Sequence, residues 1–75
     1  MRKQELVYVH GLLAELREFY EQATGQPIPA PEYDAMDVKP TSIHRGKPEH
    51  EAAVFALAGA MAEEMGGVPP RLRAD

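Results

Sequence analysis

The fold is decided by residues 6–20, which read LVYVHGLLAELREFY. Apolar side chains recur there at spacings of three and four residues, the period at which one face of an α-helix returns. The pattern predicts a helix over about residues 2–24, which ends at Gly25 because Pro27 prevents its continuation. The helix has one apolar stripe, formed by Leu6, Val9, Leu13, Leu16 and Tyr20. A second apolar strip lies beside it and is formed by Tyr8, Leu12 and Phe19.

A proline-rich segment follows this helix. Each proline removes a backbone donor and favours extended geometry in the residue before it. Residues 25–47 are therefore expected to form a strap without sustained helix. A flexible linker would be rich in glycine and serine, whereas this strap carries apolar side chains that favour a path across the helices, namely Ile28, Tyr33, Met36 and Val38.

A second helix is predicted over about residues 48–65. Pro48 followed by Glu49 is typical of a helix start, and Gly66-Gly67 is a typical end, with a frayed tail expected over residues 66–75. This helix is apolar on two sides. One side has Val54, Leu57, Ala58, Met61 and Met65, and the other has Phe55 with the small residues Ala52, Ala56, Gly59 and Ala60.

The fold class predicted from these elements is all-α, with two main antiparallel helices in one domain over residues 1–75. A chain this short buries only about 60% of the surface that its unfolded form exposes. Since it has no cysteine, neither disulfides nor thiolate zinc sites can compensate. Two helices with wide apolar faces cannot cover each other fully, so the sequence predicts a homodimer with a four-helix arrangement.

Composition disfavours several classes of function. The net charge is -4 and there is no basic run, which argues against a nucleic-acid binder. No apolar stretch approaches the roughly 18 residues of a membrane span, and the first residues do not resemble a signal peptide. We therefore expect a cytoplasmic protein. The sequence has no phosphate-binding glycine loop, and Ser42 with His44 and Asp37 lacks the spacing of a nucleophilic triad, so we expect no enzymatic activity.

The candidate site residues are three histidines and a carboxylate. Neutral imidazole is a common ligand for zinc and nickel. If the helices pack through their stripes, His10, His44 and His50 converge at one end of the molecule, and Glu49 or Asp34 can add a carboxylate. This predicts a divalent metal site, with zinc or nickel held by His10, His44, His50 and Glu49. In the alternative, the imidazoles only satisfy hydrogen bonds, with His50 bonded to the turn that contains His44.

Two segments carry a family resemblance, KQELVYVH at residues 3–10 and IHRGKPEHEAAVFAL at residues 43–57, with YDAMDV at residues 33–38 between them. Nearly the whole chain resembles the archaeal uncharacterised protein family fifty-eight, in which some halophile members are labelled metal-binding. The resemblance implies a small helical fold, an archaeal source and a homodimer. It also implies that the family's characteristic positions are His10, His44, Lys47, Glu49 and His50. Arg2 departs from the family, whose members often have histidine there.

The sequence thus predicts a small cytoplasmic dimeric helical protein with a binding or interaction role, in which histidines hold a divalent metal. The alternative is a structural or regulatory adaptor without metal, whose histidines only satisfy hydrogen bonds. Replacing His10 by glutamine would separate the two, because a hydrogen bond can survive that change whereas metal affinity should fall.

Overall fold

The computed structural model describes residues 1–66 and shows three α-helices in this range. They are α1 (Lys3–Thr24), α2 (Pro31–Met36) and α3 (Lys47–Met61), and α3 continues into a π-helix over Ala62–Gly66. The described residues form no strand, so the all-α prediction is confirmed. None of their helices is both long and apolar enough to span a membrane. The predicted tail over residues 66–75 lies outside this range apart from Gly66.

Helix α1 has the ends that local sequence signals predict. Before its first turn, the Arg2 backbone N–H donates to the Glu5 carboxylate at 2.8 Å, which satisfies a donor that the helix itself cannot. At the other end Gly25 adopts a left-handed conformation with φ 71°, and its N–H donates to the Glu21 carbonyl at 2.9 Å. A left-handed C-terminal residue is easiest for glycine because it has no Cβ.

The strap contains a helix that the sequence analysis did not predict. Pro31 lies in the first turn of α2, where a missing N–H costs nothing because that group has no partner in a helix. Asp37 ends this helix in a left-handed conformation with φ 56°. On either side of α2, Ile28 and Val38 are buried, so the strap lies across the main helices as expected.

Helices α1 and α3 run parallel, and the predicted antiparallel arrangement is therefore wrong. The Lys3 ammonium donates to the Ile43 carbonyl at 2.7 Å, so the strap has returned to the beginning of α1 before α3 starts. Residues 25–46 are long enough to retrace the roughly 33 Å of a 22-residue helix, whereas a short loop would have imposed antiparallel neighbours. Farther along, α1 and α3 side chains share one cluster, with Leu13 and Tyr20 packed beside Leu57 and Met61.

The core lies between α1, the strap and α3. Its buried apolar side chains are Leu6, Ile28, Ala30, Val38, Ala53, Leu57 and Met61. On α3 the buried face is centred on His50, Ala53, Leu57 and Met61, while Val54 and Ala58 of the predicted stripe are half-buried at its edge. On α1 the first stripe faces this core except at Leu16, which is exposed, and all three residues of the second strip are exposed. Among residues 1–64, a large part of the apolar helix surface is thus exposed.

Candidate functional site

A pair of histidines lies at the centre of the molecule. His10 comes from the packed face of α1 and His50 from the first turns of α3, and both side chains are fully buried. Their Nδ1 atoms are 3.2 Å apart, and the ring planes meet at 69°. The two helices are therefore joined through a polar contact in an otherwise apolar interface.

The hydrogen-bond partners assign the protons on both rings. His50 Nε2 lies 3.0 Å from the Ser42 carbonyl oxygen, which can only accept, so Nε2 carries the hydrogen and Nδ1 of a neutral ring is an acceptor. His10 Nδ1 must then donate to His50 Nδ1. This leaves His10 Nε2 as an acceptor for the Tyr33 hydroxyl at 2.6 Å.

The result is a directed chain of hydrogen bonds from Tyr33 through His10 and His50 to the Ser42 carbonyl. It joins α2, α1, α3 and the turn before α3, and it uses all four ring nitrogens, as buried polar groups require. Burial, and secondly the proximity of His50, lower the pKa of His10 below its ordinary 6.5. Both imidazoles are neutral in this arrangement.

Tyr33 also faces a charged cluster. Burial raises the pKa of its hydroxyl, while the Arg17 cation lowers it and the Asp34 carboxylate raises it. The Arg17 guanidinium carbon lies 6.0 Å from the centre of the Tyr33 ring, within the usual range of a cation–π contact. The hydroxyl therefore remains a neutral donor toward His10.

Arg17 fixes the strap to α1. Its guanidinium donates to the Ile28 carbonyl at 2.9 Å and to the Asp34 carboxylate at 3.2 Å. The Glu21 carboxylate lies 3.5 Å from Arg17 Nε as an ion pair and accepts the Ile28 N–H at 2.7 Å. The hydrogen bond to Asp34 is the main reason that the pKa of Arg17 is raised. This network holds the strap in the position from which Tyr33 reaches His10.

The structure brings together two of the four predicted metal ligands. His10 and His50 are in contact, whereas His44 and Glu49 are exposed and Asp34 is bound to Arg17. Among residues 1–66 no three histidine, cysteine or carboxylate side chains are grouped closely enough to hold a metal ion. The arrangement does not fit a four-ligand zinc or nickel site. It does contain the predicted bond between His50 and the turn that includes His44.

Sequence reasoning missed Tyr33, Arg17 and the Ser42 carbonyl as parts of this site. The sequence indicates Tyr33 only as an apolar residue of the strap. Its contact with His10 arises because the strap runs back along α1 toward the beginning of that helix. Three surface depressions reach Tyr33, and neither imidazole lines any of the three. The buried pair connects α1 and α3 inside the molecule.

Comparisons with known proteins find one family over nearly the whole chain. The profile of uncharacterised protein family UPF0058 matches residues 1–73. A UPF0058 protein from Methanothermobacter thermautotrophicus is 30% identical over 77 residues, covering 96% of this chain and 76% of the relative. A second, from Methanocaldococcus jannaschii, is 36% identical over 64 residues, covering 84% and 62%. A third, from Archaeoglobus fulgidus, is 30% identical over 63 residues, covering 84% and 68%. No solved structure gives a significant match. The chain belongs to the uncharacterised protein family UPF0058.

Proposed function

We propose that this protein is a dimeric helical interaction module that binds through the outer face of α1. We define the outer face as Tyr8, Leu12, Leu16 and Phe19, which lie next to one another on the exposed surface of α1. Their exposed fractions are 67%, 48%, 44% and 69% respectively. The exposure of these four large side chains on one helix face is the observation that carries the proposal.

The outer face is large for a chain of this size. A fully exposed aromatic side chain has about 200 Å² of accessible surface. Multiplied by their exposed fractions, Tyr8 and Phe19 together contribute roughly 270 Å² of accessible apolar surface, and the two leucines add roughly 150 Å². Contiguous apolar patches above about 400 Å² are characteristic of interaction sites. If two copies bury this patch and the polar residues around it, the total surface buried approaches the roughly 1,000 Å² of a stable interface.

A second copy is the partner that best fits the rest of the chain. Among residues 1–64 the core has seven buried apolar residues, two of which are alanines. Small domains with limited cores commonly gain stability by association. Covering the outer face with the same face of a second copy adds the missing apolar burial and produces an arrangement with four main helices.

The histidine pair supports an adaptor role without metal chemistry. Its ring nitrogens are bonded to Tyr33, to each other and to the Ser42 carbonyl. These hydrogen bonds hold α1 and α3 in a fixed relation. The histidines in this proposal are structural residues.

Light scattering of the full 75-residue protein tests the proposal at micromolar concentration. We expect the mass of a dimer for the natural sequence and of a monomer for Leu12→Glu, because the new carboxylate would be buried without a partner. The matched control is Ala52→Glu, which adds the same charge at an exposed position on α3. It is expected to remain dimeric, and circular dichroism verifies that both variants are helical.

Two results would overturn this assignment. If light scattering shows that the natural protein is a monomer at micromolar concentration, it does not self-associate as proposed. If Ala52→Glu dissociates the dimer and Leu12→Glu does not, the copies meet through α3 and not through the outer face of α1.

A further inference from the structure

From the order of side chains on the outer face of α1, we infer that the second copy docks antiparallel to the first. This inference rests on the proposed function, since it describes the geometry of the same dimer. The outer face reads aromatic, leucine, leucine, aromatic at positions 8, 12, 16 and 19. Tyr8 and Phe19 have nearly equal exposure, and so do Leu12 and Leu16. The face is therefore close to a palindrome in both chemistry and shape.

A palindromic face suits a two-fold contact between antiparallel helices. In such a contact the residue at one position meets a different position of the copy, and the reverse contact occurs as well. With the two-fold axis near residue 14, Tyr8 meets Phe19 of the partner subunit and Leu12 meets Leu16 of the partner subunit. The two aromatic contacts at the ends can adopt edge-to-face geometry, and the leucines close the centre.

Helix dipoles distinguish this arrangement from a parallel one. Parallel docking would place the two positive helix ends beside each other, and likewise the two negative ends. Antiparallel docking places the positive end of each helix beside the negative end of the other, which is the favourable arrangement.

Cysteine cross-linking tests the direction because the natural chain has no cysteine. Gln4 and Gln22 are exposed and eighteen residues apart, which is five full helical turns, so they lie on the same edge of the outer face. In the antiparallel dimer, Gln4 is about 3 Å along the axis from Gln22 of the partner subunit. Each is about 25–30 Å from the same residue of the other copy.

The experiment mixes Gln4→Cys and Gln22→Cys chains in equal amounts and adds a short bismaleimide reagent. We expect a cross-linked dimer that contains one chain of each kind, and no cross-linked dimer from either variant alone. Both substitutions are at exposed polar positions beside the apolar residues, so the dimer itself should persist. Ala52→Cys on α3 is the control for cross-linking by random collision, and we expect it to give no product.

The outcomes separate the direction of docking from the existence of the dimer. A dimer in which Gln4→Cys links to itself is parallel and overturns the inference. A dimer in which the mixture gives no mixed product also overturns it, whichever other pair reacts. If sedimentation shows that the natural chain is a monomer, the proposed function has failed as well.

Discussion

Acidification from pH 8 to pH 5 is expected to destabilise the protein through His10. The folded protein holds this imidazole neutral, because burial and the neighbouring His50 lower its pKa below the ordinary 6.5. The unfolded chain takes up the proton at about pH 6.5. Stability from this group is therefore complete above that pH and is lost as the pH falls toward the lowered pKa of the folded state.

The magnitude follows from proton linkage. A group that is protonated in the unfolded state and neutral in the folded state costs about 1.4 kcal/mol for each pH unit. The folded site cannot accept the proton without rearrangement, because His10 Nε2 already accepts the Tyr33 hydroxyl hydrogen. Between pH 6.5 and pH 5 this linkage can remove at most about 2 kcal/mol, which is measurable in a chain whose total stability is roughly 4–11 kcal/mol.

Urea denaturation followed by circular dichroism at pH 8, 7, 6 and 5 measures this loss. His10→Gln removes the titrating ring, so its free energy of unfolding should be lower at pH 8 but should depend less on pH. His44→Gln is the matched control, because His44 is exposed and outside the hydrogen-bond chain, and it should retain the natural slope. Equal stability of the natural protein at pH 8 and pH 5, or a full slope in His10→Gln, would refute the reasoning.

Three other perturbations test the supports around the histidine pair. Arg17→Met removes the bonds to the Ile28 carbonyl and to Asp34 and should lower the free energy of unfolding by about 1–3 kcal/mol; an unchanged urea midpoint would mean that the strap is held by other contacts. Gly25→Ala places a Cβ in open space but at φ 71°, so its cost of about 1 kcal/mol is conformational and should lower the Tm by roughly 4–8 °C. A Tm equal to that of the natural protein would contradict it. Excess zinc, or EDTA, should leave the Tm unchanged, because residues 1–66 gather no three metal ligands; a rise in Tm with zinc would show that a site exists after all.

The parts of the fold that sequence predicts are those set by neighbouring residues. The apolar period of α1, the glycine at its end and the proline in the first turn of α3 all act within a few residues, and each has its expected counterpart in the structure. Helix α2 was missed for a local reason as well. Pro31 is one of the strap prolines that predict extended geometry, although in the first turn of a helix proline is favoured.

The direction of α3 could not be obtained in the same way. It depends on where the strap travels, and that path is set by contacts between distant residues, such as Arg17 with the Ile28 carbonyl and Lys3 with the Ile43 carbonyl. In the candidate site, too, one contact can be predicted from the sequence and another cannot. The approach of His10 and His50 follows from packed helix faces, whereas the donor from Tyr33 follows only from the path of the strap.

The buried histidines have a physical role that apolar residues of similar size could not supply. Apolar packing tolerates a small shift between two helices, because one contact of this kind can replace another. The chain from Tyr33 to the Ser42 carbonyl has one donor direction, and sliding α1 against α3 by one turn would leave buried ring nitrogens without partners at about 1–3 kcal/mol each. The histidine pair thus fixes the register of a small core, in which α1 and α3 keep one relative position.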